Sequence, residues 1–300
     1  MPAMPLPLEL PEDFSDPWEH VRLLSDRARN EALMRMLRLR APGKRVVEVG
    51  CGTGLLSCVA AKLGAVHVWA VEPTVLAERA QVLVDANGLG DRVTVVRAKV
   101  EELEPRPVDL AFSELLNADP FLEGVVEAMN AVAPWVVPGG RISPRRLKVY
   151  VALGWITEPA VEHAAAMAEV DRMAAEVGLD PSALHESLTV GHPHRYTTHE
   201  ERPISTIACA FDIPLGTGET GPEEAEVVVR SRVEGSVGGA LVWFSGEVDD
   251  EIWMSNPPGA GSHWGQMVCG WSRGVDVRPN EAVRLRVKRV GSQVVVAPVG

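Results

Sequence analysis

Glu114 and Glu123 close the two ends of Ser113-Glu114-Leu115-Leu116-Asn117-Ala118-Asp119-Pro120-Phe121-Leu122-Glu123, a turn-prone segment leaving the apolar run Val108-Asp109-Leu110-Ala111-Phe112. Two carboxylates that converge on one pocket repel each other unless a proton or a cation sits between them. A fixed organic cation is the natural guest, and a guanidinium presents the planar fork that paired carboxylates match. On spacing alone the blander reading is the stronger one: Glu114 at a helix start and Glu123 on a solvated face. The elements upstream decide between the two.

Those elements alternate. Residues 12–40 read as an entry segment and then a helix, with Leu23, Leu24, Ala28, Ala32, Leu33, Met36 and Leu37 at helical spacing. Pro42-Gly43 stops it. Arg45–Val49, His67–Val71, Val93–Val96 and Val108–Phe112 read as strands, with helices at Leu55–Leu63 and Val75–Asn87 between them. Such alternation predicts βαβ units and a mostly parallel sheet. After residue 145 the pattern changes. An alanine-rich helical stretch covers about 159–190, and from Ile204 onward period-two runs separated by Gly/Pro turns predict an all-β half, a barrel or sandwich. The expected organisation is therefore α/β over residues 12–145, then a β domain over 146–300 carrying a helical insertion.

The run Val46-Val47-Glu48-Val49-Gly50-Cys51-Gly52-Thr53-Gly54-Leu55-Leu56-Ser57 is a strand, a glycine loop and a helix start. Gly50, Gly52 and Gly54 let backbone approach a ligand closely, in conformations closed to other residues. A bare glycine loop also serves nicotinamide and flavin enzymes. Here the spacing is GxGxG, an acid (Glu48) lies in the preceding strand, and Glu72 ends the next one, where a carboxylate can take both ribose hydroxyls.

Glycine loop, acid and spacing together resemble a class I S-adenosylmethionine-dependent methyltransferase. Glu72-Pro73, Lys99-Val100-Glu101-Glu102, Ser113-Glu114 through Glu123, and Val137-Pro138-Gly139-Gly140-Arg141-Ile142-Ser143-Pro144 then follow in the order found in the protein arginine methyltransferase family. His20-Val21-Arg22-Leu23-Leu24-Ser25-Asp26-Arg27-Ala28-Arg29 resembles that family's cofactor-lid helix, and Ser262-His263-Trp264 its Thr-His-Trp loop. The resemblance runs from about residue 14 to 289. It implies a Rossmann-like methyltransferase domain, a β-barrel domain and a dimerisation arm at 159–190, hence a homodimer. It implies that Gly50, Gly52 and Gly54 shape the methionine and ribose site, that Glu72 holds the ribose, and that Val100 and Glu101 contact adenine. Arg29 and His20 would bind the methionine end, Arg29 through its carboxylate. Glu114 and Glu123 would clamp the substrate guanidinium, His263 would pair with Asp26 across the domains, and Trp264 would wall the arginine slot. The chain departs from the family at Phe14, where a tyrosine is usual, at Leu23 and Val125, where methionines often line the acceptor site, and throughout Leu115–Phe121, which lacks the Trp-Met-Gly-Tyr run. The acceptor pocket is remodelled.

Composition sets outer bounds. A net charge of -12 argues against nucleic-acid binding, which needs a basic face. Cys51, Cys58, Cys209 and Cys269 have no CxxC spacing, which points to neither disulfide framework nor zinc site and to a reducing, cytoplasmic setting. Met1–Pro11 lacks the basic flank and apolar centre of a signal peptide, and no apolar run approaches membrane-spanning length. His192, His194 and His199 read as a solvated loop rather than a metal cluster, and Asp249-Asp250-Glu251 as a charged turn. Trp18, Trp135, Trp155, Trp243, Trp253 and Trp271 read as core or interface aromatics. No metal is expected.

These residues predict methyl transfer to a guanidino nitrogen of arginine, leaning to free arginine or a related small molecule in a biosynthetic pathway. Arginine in a protein or peptide is the alternative acceptor. Two further readings stand behind it: methylation of another amine or hydroxyl, and a cofactor-binding dimeric module without activity.

Overall fold

The computed structural model describes residues 17–156, 158–182 and 194–299. The first half is α1 (Pro17–Ser25), α2 (Arg27–Arg40), β1 (Arg45–Val49), α3 (Leu55–Lys62), β2 (His67–Val71), α4 (Leu76–Ala86), β3 (Val93–Val96), β4 (Val108–Ser113), α5 (Val125–Val132) and β5 (Val136–Ser143). The strands form one sheet in the order β3-β2-β1-β4-β5, every neighbouring pair parallel. Chain order reverses at β1, which has β2 on one side and β4 on the other. The crevice beyond the carboxyl ends of β1 and β4 is therefore where such a sheet binds ligands. Glu48 lies in β1, Glu72 directly follows β2 and Glu114 directly follows β4, so three acids reach one edge.

The sequence predicts an entry segment and then one helix over residues 12–40, whereas the structure has two helices, α1 and α2, divided at Asp26. The Asp26 backbone is extended (φ -72°, ψ 98°) and its side chain caps α2 by accepting the Arg29 N–H at 3.0 Å. An apolar period alone does not show this break; the side-chain cap marks it.

The second half is β6 (Arg146–Gly154), α6 (Glu158–Val177), β7 (His194–Thr198), β8 (Ala208–Pro214), β9 (Glu224–Arg230), β10 (Gly235–Asp249), β11 (Ile252–Ser255), β12 (Gln266–Val277), β13 (Ala282–Val290) and β14 (Gln293–Pro298). One antiparallel sheet runs β7-β12-β10-β6-β8, with β11 also paired to β10, and a smaller one runs β14-β13-β9. One apolar cluster joins α2 and the parallel sheet to both antiparallel sheets, through Met36, Phe112, Phe121, Phe211, Phe244, Met267 and Leu285. α6 lies in the predicted insertion; its continuation over 183–190 lies outside the described residues.

Two strand assignments correct the sequence reading. His194–Thr198, read as solvated loop, pairs antiparallel with β12 as β7. β10 begins at Gly235 rather than Ala240, because Gly238 and Gly239 erase the alternating signal: the register shifts between Val237 and Gly239, and Gly239 pairs with Gly270, where a Cβ would lie 2.7 Å from the Cys269 carbonyl. The tryptophans divide: Trp135, Trp243 and Trp271 are buried, whereas Trp155 and Trp253 are exposed.

The Asp249-Asp250 turn is more than a charged turn. Asp249, only 3 % exposed, takes Arg40 of α2 through both oxygens at 2.7 and 3.1 Å, and Arg141 of β5 at 3.3 Å. Asp250 adds Arg145 at 2.7 Å. The cluster fastens the β10–β11 turn to the parallel-sheet half.

Candidate active site

A cavity of about 400 Å³ opens at the switch point, within the range that holds small ligands (roughly 300–1,000 Å³). Glu48, Gly50, Gly52, Glu72, Val100 and Glu101 line one part of it; Leu23, Leu24, Arg29, Glu114, Leu115 and Glu123 line the other. Gly54 does not face it. With φ at +77° it opens α3, and a Cβ there would meet the Ala80 Cβ at 2.8 Å, so it sets the approach of α3 to α4. Gly50 (φ +74°) and Gly52 (φ +52°) hold left-handed conformations at the cavity wall. Glu72 is fixed by three donors: the Gly52 N–H at 2.9 Å, the Thr74 N–H at 3.0 Å and the Thr74 hydroxyl at 2.7 Å. Thr74 was not singled out from sequence, although a threonine just before a helix start is a cap signal. His20 belongs to α1, but its side chain and the whole of Phe14 lie outside the described residues.

Arg29 and Glu114 meet at the floor. Arg29 Nε donates to Glu114 Oε2 at 2.6 Å and Nη2 reaches the same oxygen, while Nη1 donates to Asn30 Oδ1 at 2.9 Å. Both side chains are almost fully buried. Glu114 Oε1 is buried without a hydrogen-bond partner. Burial raises the Glu114 pKa, against the pull of Arg29. Glu123 is pushed up to about 8, by burial first and by Glu114 second, while Asn117 and Arg29 act the other way. Glu48 is likewise pushed up to about 8 by burial, with the Ser57 hydroxyl donating to it.

The second half positions this loop. Trp264 Nε1 donates to the Leu116 carbonyl at 2.8 Å, and its ring meets Phe244 edge-on at 5.0 Å. Trp264 thus stands behind the loop and does not line the cavity. Asp119 Oδ2 accepts the Val294 N–H at 3.0 Å, and Phe121 packs edge-on against Phe211. His263 joins Asp26 twice, its backbone N–H at 3.0 Å and its ring Nδ1 at 2.9 Å from Oδ2. Burial depresses the His263 pKa despite Asp26 beside it, so the ring is neutral near pH 7. Burial opposes the Asp26 charge, but the Arg29 N–H and His263 hold its pKa below the usual value. Asn117, which sequence reading noted only as a departure, donates from Nδ2 to Glu123 Oε1 at 2.8 Å.

The donor set fits S-adenosylmethionine. Glycines that a Cβ would obstruct, a pre-fixed acid after β2 and the apolar Val100 suit a nucleoside; Arg29 suits a carboxylate. Among the described residues no group of three or more His, Cys, Asp or Glu could hold a metal, and no helix is long and apolar enough to cross a membrane.

Comparison with known proteins agrees. A methyltransferase domain family matches residues 46–140. The arginine N(omega)-methyltransferase of Streptomyces achromogenes subsp. streptozoticus is 29% identical over 278 residues, 89% of this chain and 75% of that protein. Protein arginine N-methyltransferase 1 of Chlamydomonas reinhardtii is 29% identical over 261 residues, 83% and 74% of the two chains. Arabidopsis thaliana protein arginine methyltransferase 10, solved in an open conformation, shares the fold with a TM-score of 0.77 at 23% identity, over 91% of this chain and 87% of that one. The Trypanosoma brucei PRMT1 enzyme-prozyme heterotetrameric complex with AdoHcy gives 0.75 at 21% identity, over 94% and 93%. Fold and pocket define a class I S-adenosylmethionine-dependent methyltransferase. Within that class the chain is similar, over most of its length, to arginine methyltransferases.

Proposed function

We propose that this protein is an arginine N-methyltransferase whose acceptor is the guanidino group of free L-arginine or a related small molecule in a biosynthetic pathway. The observation that carries the guanidino assignment is that the Glu114 carboxylate already seats a guanidinium, that of Arg29, in a cavity it shares with Glu123. The free-arginine acceptor is supported by the Streptomyces relative and its name, and by the remodelled Leu115–Phe121 loop.

When bound, S-adenosylmethionine supplies a methyl group on a sulfonium, open to in-line attack. Glu72 would take its ribose, Gly50 and Gly52 would allow close backbone approach, Val100 and Glu101 would contact adenine, and Arg29, with His20 from the family resemblance, would bind the methionine end. A guanidinium, with a pKa above about 12, is not deprotonated by a carboxylate at neutral pH. Glu114 Oε1 and the cavity-facing side of Glu123 instead hold its spectator N–H groups and draw positive charge toward themselves. That leaves electron density on the third nitrogen. In the empty cavity Glu123, with its raised pKa, is protonated; the entering cation drives that proton to solvent, and the resulting carboxylate takes the proton released on methyl transfer. Asp26 and His263 hold the lid helices against the β half, and Trp264 holds the clamp loop.

We propose residues 12–145 as the cofactor-binding domain, which also carries Glu114 and Glu123, and the β domain, 146–300, as the substrate domain that backs their loop through Trp264. We infer a cytoplasmic homodimer, in keeping with four cysteines that have no CxxC spacing and with α6 as its arm. The test is incubation with labelled S-adenosylmethionine and either free arginine or arginine-rich peptides. Label on free arginine is expected. Label on peptides alone would favour the second reading, which the Chlamydomonas relative supports by its name. Cofactor binding without transfer to either would leave the inactive module.

A further inference from the structure

Asn117 sits inside the clamp loop with both ends of its amide committed. Its Oδ1 accepts the Ala118 N–H at 2.7 Å, which fixes the amide's orientation: flipping it would set NH2 against N–H. Nδ2 is thereby a donor, and it donates to Glu123 Oε1 at 2.8 Å. An oxygen that accepts from a fixed amide N–H is poorly placed to carry a proton of its own. The proton of a neutral Glu123 therefore belongs on Oε2.

We propose that Asn117 is a positioning residue of the acceptor site, holding Glu123 Oε1 so that Oε2 alone meets the acceptor's N–H and receives the released proton. The inference rests on Glu114 and Glu123 being the clamp. On the opposite side Arg29 does the equivalent, occupying Glu114 Oε2 and leaving Oε1 buried and unpartnered. Each carboxylate thus offers one oxygen, and each is oriented by a donor of the chain's own. The two donors differ in charge: Glu114 has a cation and Glu123 a neutral amide. That asymmetry assigns the proton to Glu123, which faces Glu114, Arg29 and Glu72 across the cavity.

Asn117→Asp and Asn117→Ala separate this role from simple loop packing. Aspartate keeps the shape and the acceptor for the Ala118 N–H, so a packing role makes it the milder change. A positioning role makes it the worse one, because a donor becomes a third carboxylate beside Glu123. The expected order of kcat at pH 8 is wild type, Asn117→Ala lower by about tenfold, and Asn117→Asp lower still. Cofactor affinity by calorimetry should stay within about twofold, which also confirms folding. In Asn117→Ala the Glu123 carboxyl resonance, identified by its loss in Glu123→Gln, should titrate about one pH unit higher, since a donor to the charged form is gone. Wild-type turnover in Asn117→Asp, or an unmoved resonance in Asn117→Ala, would overturn the inference. Full turnover in Glu123→Gln would instead remove the clamp itself, an outcome the Asn117 variants alone cannot produce.

Discussion

Arg29 and Glu114, 85 residues apart in sequence, are joined by a 2.6 Å bond from Nε to Oε2 at the floor of the cavity. The lid helix and the strand edge that carries the clamp are thereby one electrostatic unit. Both side chains line the same cavity, so a ligand that meets one is sensed by the other.

Arg29→Ala should damage both folding and binding. It strands a buried carboxylate, at a cost of about 3 kcal/mol or more, and removes the cation suited to the cofactor's carboxylate. Denaturant unfolding without ligand, and calorimetry with S-adenosylhomocysteine, should both show the loss. Intact affinity would mean that Arg29 only holds Glu114.

Glu114→Gln should separate binding from catalysis. Turnover is expected to fall by about 10²–10³, the scale of losing a charge-stabilising group, with cofactor affinity changed far less. Steady-state kinetics beside calorimetry checks it. Near-wild-type kcat would sink the clamp.

The cofactor-free protein should lose stability as pH rises. Glu123 and Glu48 have folded pKa values of about 8, above the value of about 4.3 for a free glutamate. Between those values the folded state binds more protons than the unfolded one, so stability is highest below the unfolded pKa and falls on the way to pH 8. Melting temperature measured from pH 5 to 8.5 should decline, and Glu123→Gln should flatten the slope. An unchanged slope in that variant would contradict the protonated assignment.

Asp26→Asn and Asp26→Ala should differ. Alanine removes the α2 cap, costing about 1–2 kcal/mol, together with both His263 contacts. Asparagine keeps an oxygen for the Arg29 N–H but not the charge facing His263. Its stability should therefore lie between alanine and wild type; equal loss in both would show that the cap contributes nothing.

Gly50→Ala should abolish tight cofactor binding. Its φ of +74° costs alanine about 1–2 kcal/mol, and the new Cβ would lie 2.5 Å from Leu115 Cδ2. Adding Leu115→Ala should relieve the contact but not the backbone strain, restoring affinity only in part.

Much of the site was legible because its residues lie at element ends that the sequence marks. Glu48 lies in β1 and the glycines follow it, Glu72 directly follows β2, and Glu114 directly follows β4. Gly54 shows the limit of that logic: the same spacing marks a ligand-facing glycine and a packing one, and only the nearness of Ala80 tells them apart. Asn117 and Thr74 were missed as partners because a short polar side chain has no periodicity, and its bond is settled by loop geometry. Asp249 was read from its own turn, whereas its partners Arg40 and Arg141 come from distant elements.

By itself the sequence determined the alternation that builds the parallel sheet, the glycine loop and the pair of carboxylates. Local periodicity and residue chemistry suffice for those. The tertiary structure alone decided that Arg29 sits on Glu114, that Trp264 stands behind the clamp rather than in its wall, and that Asn117 holds Glu123. Each depends on where chain segments far apart, or folded back within one loop, come to rest. In a buried site that placement decides which oxygen is free, and so what a glutamate can do.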